Sequence, residues 1–297
     1  MDVLKTGEES EIDAGDGDDE VSIVNAYVTS VVGGAGDDTI YIVSTDCYNK
    51  CGKVDGGGGD DKITILHSET KEILGGAGDD AISVGYAKQG KIYGGDGDDT
   101  IDVVSGGVGL DDYDKLLLDG GYGDDVITAK YFGGTMRGGG GDDTLSALAA
   151  RDGSFLCDQK IDDANSDGSD TIDVRLCLDC SGKVIAGGGG DDVVSIGYLK
   201  DDYGYGPTMD LGDGDDTITI DEVQAGEIKI SGGDGDDNMH VKYMDFGDDA
   251  KIKGGAGDDT ITVDSYKGKG LSLLGGDGDD VCTLEGTMLT DADCEED

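Results

Sequence analysis

Tryptophan is absent from this chain, proline occurs once, histidine twice, and aromatic residues make up only 5% of its 297 positions. Basic residues are scarce as well: 21 Lys and Arg face 68 Asp and Glu, for a formal net charge of −47. These shortages exclude ordinary globular usage, while 36% hydrophobic content is too much for a disordered acidic tail. So acidic a surface repels nucleic acid and anionic membrane and attracts cations or basic partners. No apolar run approaches the length of a membrane span, so no membrane insertion is expected, and Met1-Asp2-Val3-Leu4-Lys5 lacks the apolar stretch of a secretory signal.

What the chain has in abundance is glycine, 57 in all, organised into one recurring phrase. Its cleanest copy is Gly254-Gly255-Ala256-Gly257-Asp258-Asp259-Thr260-Ile261-Thr262-Val263. Near-copies begin at Gly33, Gly56, Gly75, Gly94, Gly120, Gly138, Gly187, Gly232 and Gly275; Leu211 opens a variant, Ala14 a shortened first copy, and Asn165 to Asp170 a worn one with Ser169 for the first Asp. Successive Asp pairs stand 18 to 27 residues apart, which is the signature of a solenoid whose coils need their neighbours to bury an apolar face.

The expected fold is all-β: a right-handed parallel β-roll of about 13 coils, roughly 22 residues each, with one glycine-Asp turn per coil. Residues 1–13 read as an acidic lead-in, 14–286 as the roll and 287–297 as an acidic tail. Superposed repeats give three inward columns. Two residues before the turn stand Val31, Val54, Ile73, Ile92 and their equivalents; two after the Asp pair stand Val21, Ile40, Ile63, Ile82 and theirs; four after it, Ile23, Ile42, Ile65 and Val84 continue the pattern. Six after it, Tyr86, Tyr131, Tyr198 and Tyr243, with His67, predict an aromatic stack closing the far edge of the core. Leu145 to Ala150, in a long return, fits one short helical turn.

The turns carry the chemistry. Calcium takes about six to eight oxygens, and a glycine turn offers carbonyls where Asp offers carboxylates. One turn is short of ligands, but an ion lying between stacked turns draws on two. The second Asp of each pair leads into the strand and is the predicted ligand: Asp19, Asp38, Asp61, Asp80, Asp99, Asp125, Asp143, Asp170, Asp192, Asp216, Asp237, Asp259 and Asp280. The carbonyl side falls to the glycine turns that open at Gly33, Gly56, Gly75, Gly94, Gly120, Gly138, Gly187, Gly232, Gly254 and Gly275. About twelve Ca²⁺ along one edge would halve the net charge. The first Asp of each pair is expected to point away from the ion, as a solvated edge or a carboxylate ladder able to meet a mineral face.

The phrase Gly-Gly-x-Gly-x-Asp followed by an apolar residue resembles the calcium-binding nonapeptide of the RTX (hemolysin-type) family over nearly the whole chain. The resemblance implies a parallel β-roll that is unfolded without calcium, folds as ions fill its turns, and works outside the cell. The phrase here appears once per coil, where the family typically runs it back to back, and this single-edged layout resembles the long-repeat segment of a bacterial ice-binding adhesin. Seven cysteines are a second departure.

Cys282 falls in an inward column and reads as a small core hydrophobe, leaving Cys47, Cys51, Cys157, Cys177, Cys180 and Cys294 for up to three disulfides of open connectivity. His240 reads as an outward strand residue with no base partner or nucleophile motif nearby, and the chain is read as a non-enzyme. The function expected is a rigid extracellular structural element, a spacer in an adhesin or a unit of a surface layer or filament. Its partners would be calcium, other surface proteins, or itself end to end. Ice binding is the first alternative; outward Thr pairs such as Thr217 with Thr219 favour it, but Lys62, Val126, Val193 and His240 interrupt the ladder. Calcium buffering or mineral association is the second.

Overall fold

The computed structural model describes residues 2–3, 11–24, 28–43, 52–68, 71–87, 90–107, 116–151, 154–156, 168–178, 182–201, 206–285, 287–288 and 294. Among the described residues every regular element is a strand, and the strands stack in parallel as a β-solenoid of about 11 turns with about 21 residues between them. The chain divides into two compact units, Met1–Thr144 and Leu145–Asp297.

Within the first unit, each coil contributes a strand before the glycine turn, such as Gly90–Asp96, and one after it, such as Thr100–Gly106. Residues two before the turn stack in one column, Val54 on Ile73 on Ile92 on Leu118 on Met136. Residues two after the Asp pair form the facing column, Val21 on Ile40 on Ile63 on Ile82 on Ile101 on Ile127. Both columns are buried. The second unit repeats the scheme with Ile185, Met209, Ile230, Ile252 and Leu273 on one side, and Ile172, Val194, Ile218, Met239, Ile261 and Cys282 on the other. Each such side chain withdraws enough apolar surface to contribute roughly 1.5–3 kcal/mol, but only because coils above and below cover it. These two columns hold no aromatic residue, which suits a thin interior in which identical positions stack directly on one another.

The aromatic column is a correction. Tyr86 and Tyr131 are 43% and 47% exposed, His67 is exposed, and Tyr198 and Tyr243 are only half-buried. The alternation that holds up to the fourth residue breaks at the fifth, where pairing jumps from Val84 and Val103 to Tyr86 and Ser105. The chain turns a corner there, and the inward side moves to the seventh residue, held by Ala87, Phe132, Cys177, Leu199, Val223 and Met244. Residues 145 to 150 lie in a strand, Thr144–Arg151, and not in a helical turn; Leu145 and Ala147 are buried at the inward positions two and four after the Asp pair, which overrides local helix propensity. Ile12 extends the pre-turn column to Glu11–Asp16, inside the expected lead-in.

Strand edges at the first and last post-turn strands are occupied. Asp2–Val3 lies parallel to Glu20–Ile23, and Thr287–Met288 folds back antiparallel on Val281–Leu284. Cys282 is bonded to Cys294, which corrects its reading as a free core residue; it remains fully buried. Cys177 is also disulfide-bonded, and Cys47, Cys51, Cys157 and Cys180 lie outside the described residues.

Candidate metal centre

The turn that opens at Gly94 shows how the sequence builds the site. Gly95 and Gly97 sit at φ +136° and +129°, conformations closed to other residues without strain, and a side chain at Gly95 would run into the Gly76 backbone. Gly94 is glycine for another reason. A Cβ there would fall on Asp99 Oδ2 and 2.5 Å from the carbonyl oxygen of Gly120 in the next coil. Asp Oδ2, first glycine and next-coil carbonyl thus converge on one seat between coils. The same trio recurs at Gly56 with Asp61 and Gly75, Gly75 with Asp80 and Gly94, and Gly254 with Asp259 and Gly275. The predicted glycines Gly33, Gly120, Gly138, Gly187 and Gly232 are buried in equivalent positions, each against the Oδ2 of its own second Asp. Leu211, in the variant copy, is buried at the matching position.

Backbone N–H groups of the turn reach into neighbouring coils. Gly97 donates to the Tyr122 carbonyl at 2.8 Å and Thr100 to the Asp80 carbonyl at 2.8 Å. The two Asp columns accept in opposite directions. Asp99 N–H donates forward to Asp125 Oδ1 at 2.8 Å, and Asp98 N–H donates backward to Asp79 Oδ1 at 3.0 Å. The forward ladder runs Asp19 to Asp38, Asp61, Asp80, Asp99, Asp125 and Asp143 in the first unit, and Asp170 to Asp192, Asp216, Asp237, Asp259 and Asp280 in the second. From Asp38 to Asp143 and from Asp192 to Asp280, each second Asp thus spends Oδ1 on holding coils together. The ladder does not use the other oxygen, Oδ2.

That other oxygen is buried. The predicted ligands from Asp38 to Asp259 are 1–2% exposed, while Asp19 and Asp280 are half-buried. Oδ2 of Asp38, Asp61, Asp80, Asp99, Asp125, Asp216, Asp237 and Asp259 has no hydrogen-bond partner. An ionised oxygen in that state costs several kcal/mol unless a cation or proton meets it. Loss of solvent pushes the Asp125 carboxyl from 3.8 up to about 8, Asp80 and Asp237 to about 7, and Asp61, Asp99, Asp216 and Asp259 to about 6. The backbone hydrogen bond at Oδ1 opposes this, and neighbouring carboxylates add to it. Among the described residues no three His, Cys, Asp or Glu side chains converge. The acids are strung one per coil, so a cation seated here would be held by a carboxylate oxygen together with backbone carbonyls, the hard oxygen set that suits calcium. The donor set fits such an ion.

First-column residues such as Asp37, Asp60, Asp98, Asp124, Asp215 and Asp258 are exposed. Sequence reasoning did not find two further features. Asp119, next to Gly120 on a strand face expected to be solvated, is buried; loss of solvent raises its pKa, with Arg137 at 3.8 Å and Lys91 opposing. His240 meets Asp264 at 3.0 Å across coils, so it has the acidic partner the sequence did not suggest. Neither carries a local motif, since both contacts join residues about a coil apart.

The fold and the turn chemistry define a β-solenoid repeat protein with a buried aspartate ladder along its glycine turns. No family model matches the chain, and neither does any curated protein or solved structure.

Proposed function

We propose that the protein is a calcium-binding, calcium-folded β-roll of the RTX type, acting outside the cell as a rigid structural element: a spacer in an adhesin or a unit of a surface layer or filament. The observation that carries this is the row of buried Asp Oδ2 atoms without partners, each beside the first glycine of its turn, with a next-coil carbonyl converging at Gly56, Gly75, Gly94 and Gly254. Asp Oδ2 and the carbonyl of the next coil's first glycine hold the ion; calcium supplies positive charge that offsets both the buried carboxylates and the overall −47. Oδ1 of the same residue fixes the side chain by accepting the preceding coil's N–H, so one carboxylate couples the stacking of coils to the holding of the ion.

Equilibrium dialysis against calcium, with bound metal measured by elemental analysis, tests this reading. About one ion per turn, near twelve per chain, is expected at the about 0.1–1 mM free calcium typical of extracellular modules. One or two ions, or as much magnesium as calcium, would overturn it.

A further inference from the structure

The C-terminal end of the second unit is built differently from every other described coil. After Val281–Leu284 the chain reverses at Glu285, whose φ of +50° is the only positive value outside glycine among the described residues. Thr287–Met288 then runs antiparallel, pairing Leu284 with Thr287 and Thr283 with Met288. All other described pairings are parallel. Strand alternation assigns Val281 and Glu285 N–H to the preceding coil, where they donate to Asp259 and Val263 carbonyls at 2.8 and 2.9 Å. Leu284 N–H is thereby directed the other way, toward the returning strand. Cys282, in the apolar column of the same strand, is bonded to Cys294, twelve residues on; they are 0% and 5% exposed.

We infer that this hairpin and the Cys282–Cys294 bond form a redox-locked stop that closes the open edge of the last coil. A parallel solenoid ends in a strand edge able to template another chain, and natural sheets cover such edges. A two-residue strand pairs too weakly to stay docked alone; the disulfide ties the chain at Cys294 to the centre of the coil, so Thr287–Met288 cannot drift away. The bond's own burial means a reductant reaches it only after the hairpin opens, so the lock holds in oxidising surroundings and is slow to release elsewhere. The inference stands whether or not the turns hold calcium, since it rests on the antiparallel pairing and the disulfide and on no aspartate oxygen.

Hydrogen exchange on the full chain in saturating calcium tests it, comparing wild type with Cys294→Ser, which leaves the Cys177 disulfide in place. Exchange at Leu284 should accelerate at least about tenfold in Cys294→Ser, with a smaller rise at Ile261–Val263 and none in residues 11–107. Iodoacetamide should then label the Cys282 thiol, which is buried unless the hairpin opens. Cys282→Val, which fills the core position without a bond, should accelerate Leu284 equally. Unchanged Leu284 exchange in both variants would overturn the lock, as would equal loss of protection in the first unit, which would mean general destabilisation.

Discussion

Protons and cations compete for the same buried oxygens, which makes the pH response of the metal-free chain a sharp test. A carboxyl whose folded pKa lies above its unfolded 3.8 favours its protonated form on folding, and so costs stability wherever the pH exceeds the unfolded value. Its penalty is absent below about pH 4, grows as pH rises above that, and levels off past the folded value, about 6 for Asp61, Asp99, Asp216 and Asp259, about 7 for Asp80 and Asp237, and about 8 for Asp125. At roughly 1.4 kcal/mol per pH unit, each costs about 3–4 kcal/mol at pH 7. Together these seven exceed the roughly 5–15 kcal/mol of net stability a domain commands. The chain in chelator should therefore be unfolded at pH 8 and gain strand signal in circular dichroism as pH falls toward 5, whereas the calcium-loaded chain should be folded at pH 8 and weaken on acidification. A chelated chain equally stable at pH 8 and pH 5 would refute the reasoning. To separate burial from general charge repulsion, Asp124→Asn should leave the chelated midpoint almost unmoved, because Asp124 is exposed.

Asp125→Asn keeps an Oδ1 that accepts the Asp99 N–H and replaces the cation-facing oxygen with an amide. In chelator at pH 7 it should stabilise by up to about 4 kcal/mol, and at calcium about a hundredfold above Kd it should forfeit about 2.7 kcal/mol of ligand stabilisation, a reversal of sign that thermal melts would register. Gly94→Ala puts a methyl on Asp99 Oδ2 and Gly120 O, so bound calcium should drop by at least one ion while the remaining coils stay folded. Gly95→Ala should instead destabilise by at least about 1–3 kcal/mol with or without calcium, since its fault is backbone strain at positive φ and collision with Gly76.

The repeat made much of the fold legible. Period, turn position and three apolar columns follow from residues that each coil restates, and Val31, Ile40 and Ile42 sit where alternation puts them. Alternation fails at the corner after the fourth residue, where a bend shifts parity by one; glycine at 85 and 197, the only local sign of it, sits close to the Leu66 and Arg175 carbonyls. That is why strict alternation puts the tyrosines inside and passes over Phe132 and Leu199. The second Asp of each pair reads as the ligand because it leads into the strand, and the structure buries that same residue from Asp38 to Asp259. The split between Oδ1 and Oδ2, and the opposite directions of the two ladders, depend on coil-to-coil register that no single repeat encodes. Cys282 paired with Cys294 was hidden because a column position and a tail position look unrelated until the hairpin brings them together.

The most direct test of the account is a calcium titration of the chelated full-length chain at pH 7.4, followed by circular dichroism. A cooperative gain of strand signal, reversed by chelator and not reproduced by magnesium at the same concentration, is predicted. A chain already folded in chelator, with a spectrum that calcium does not change, would contradict the claim that the aspartate ladder is a set of calcium seats on which folding depends.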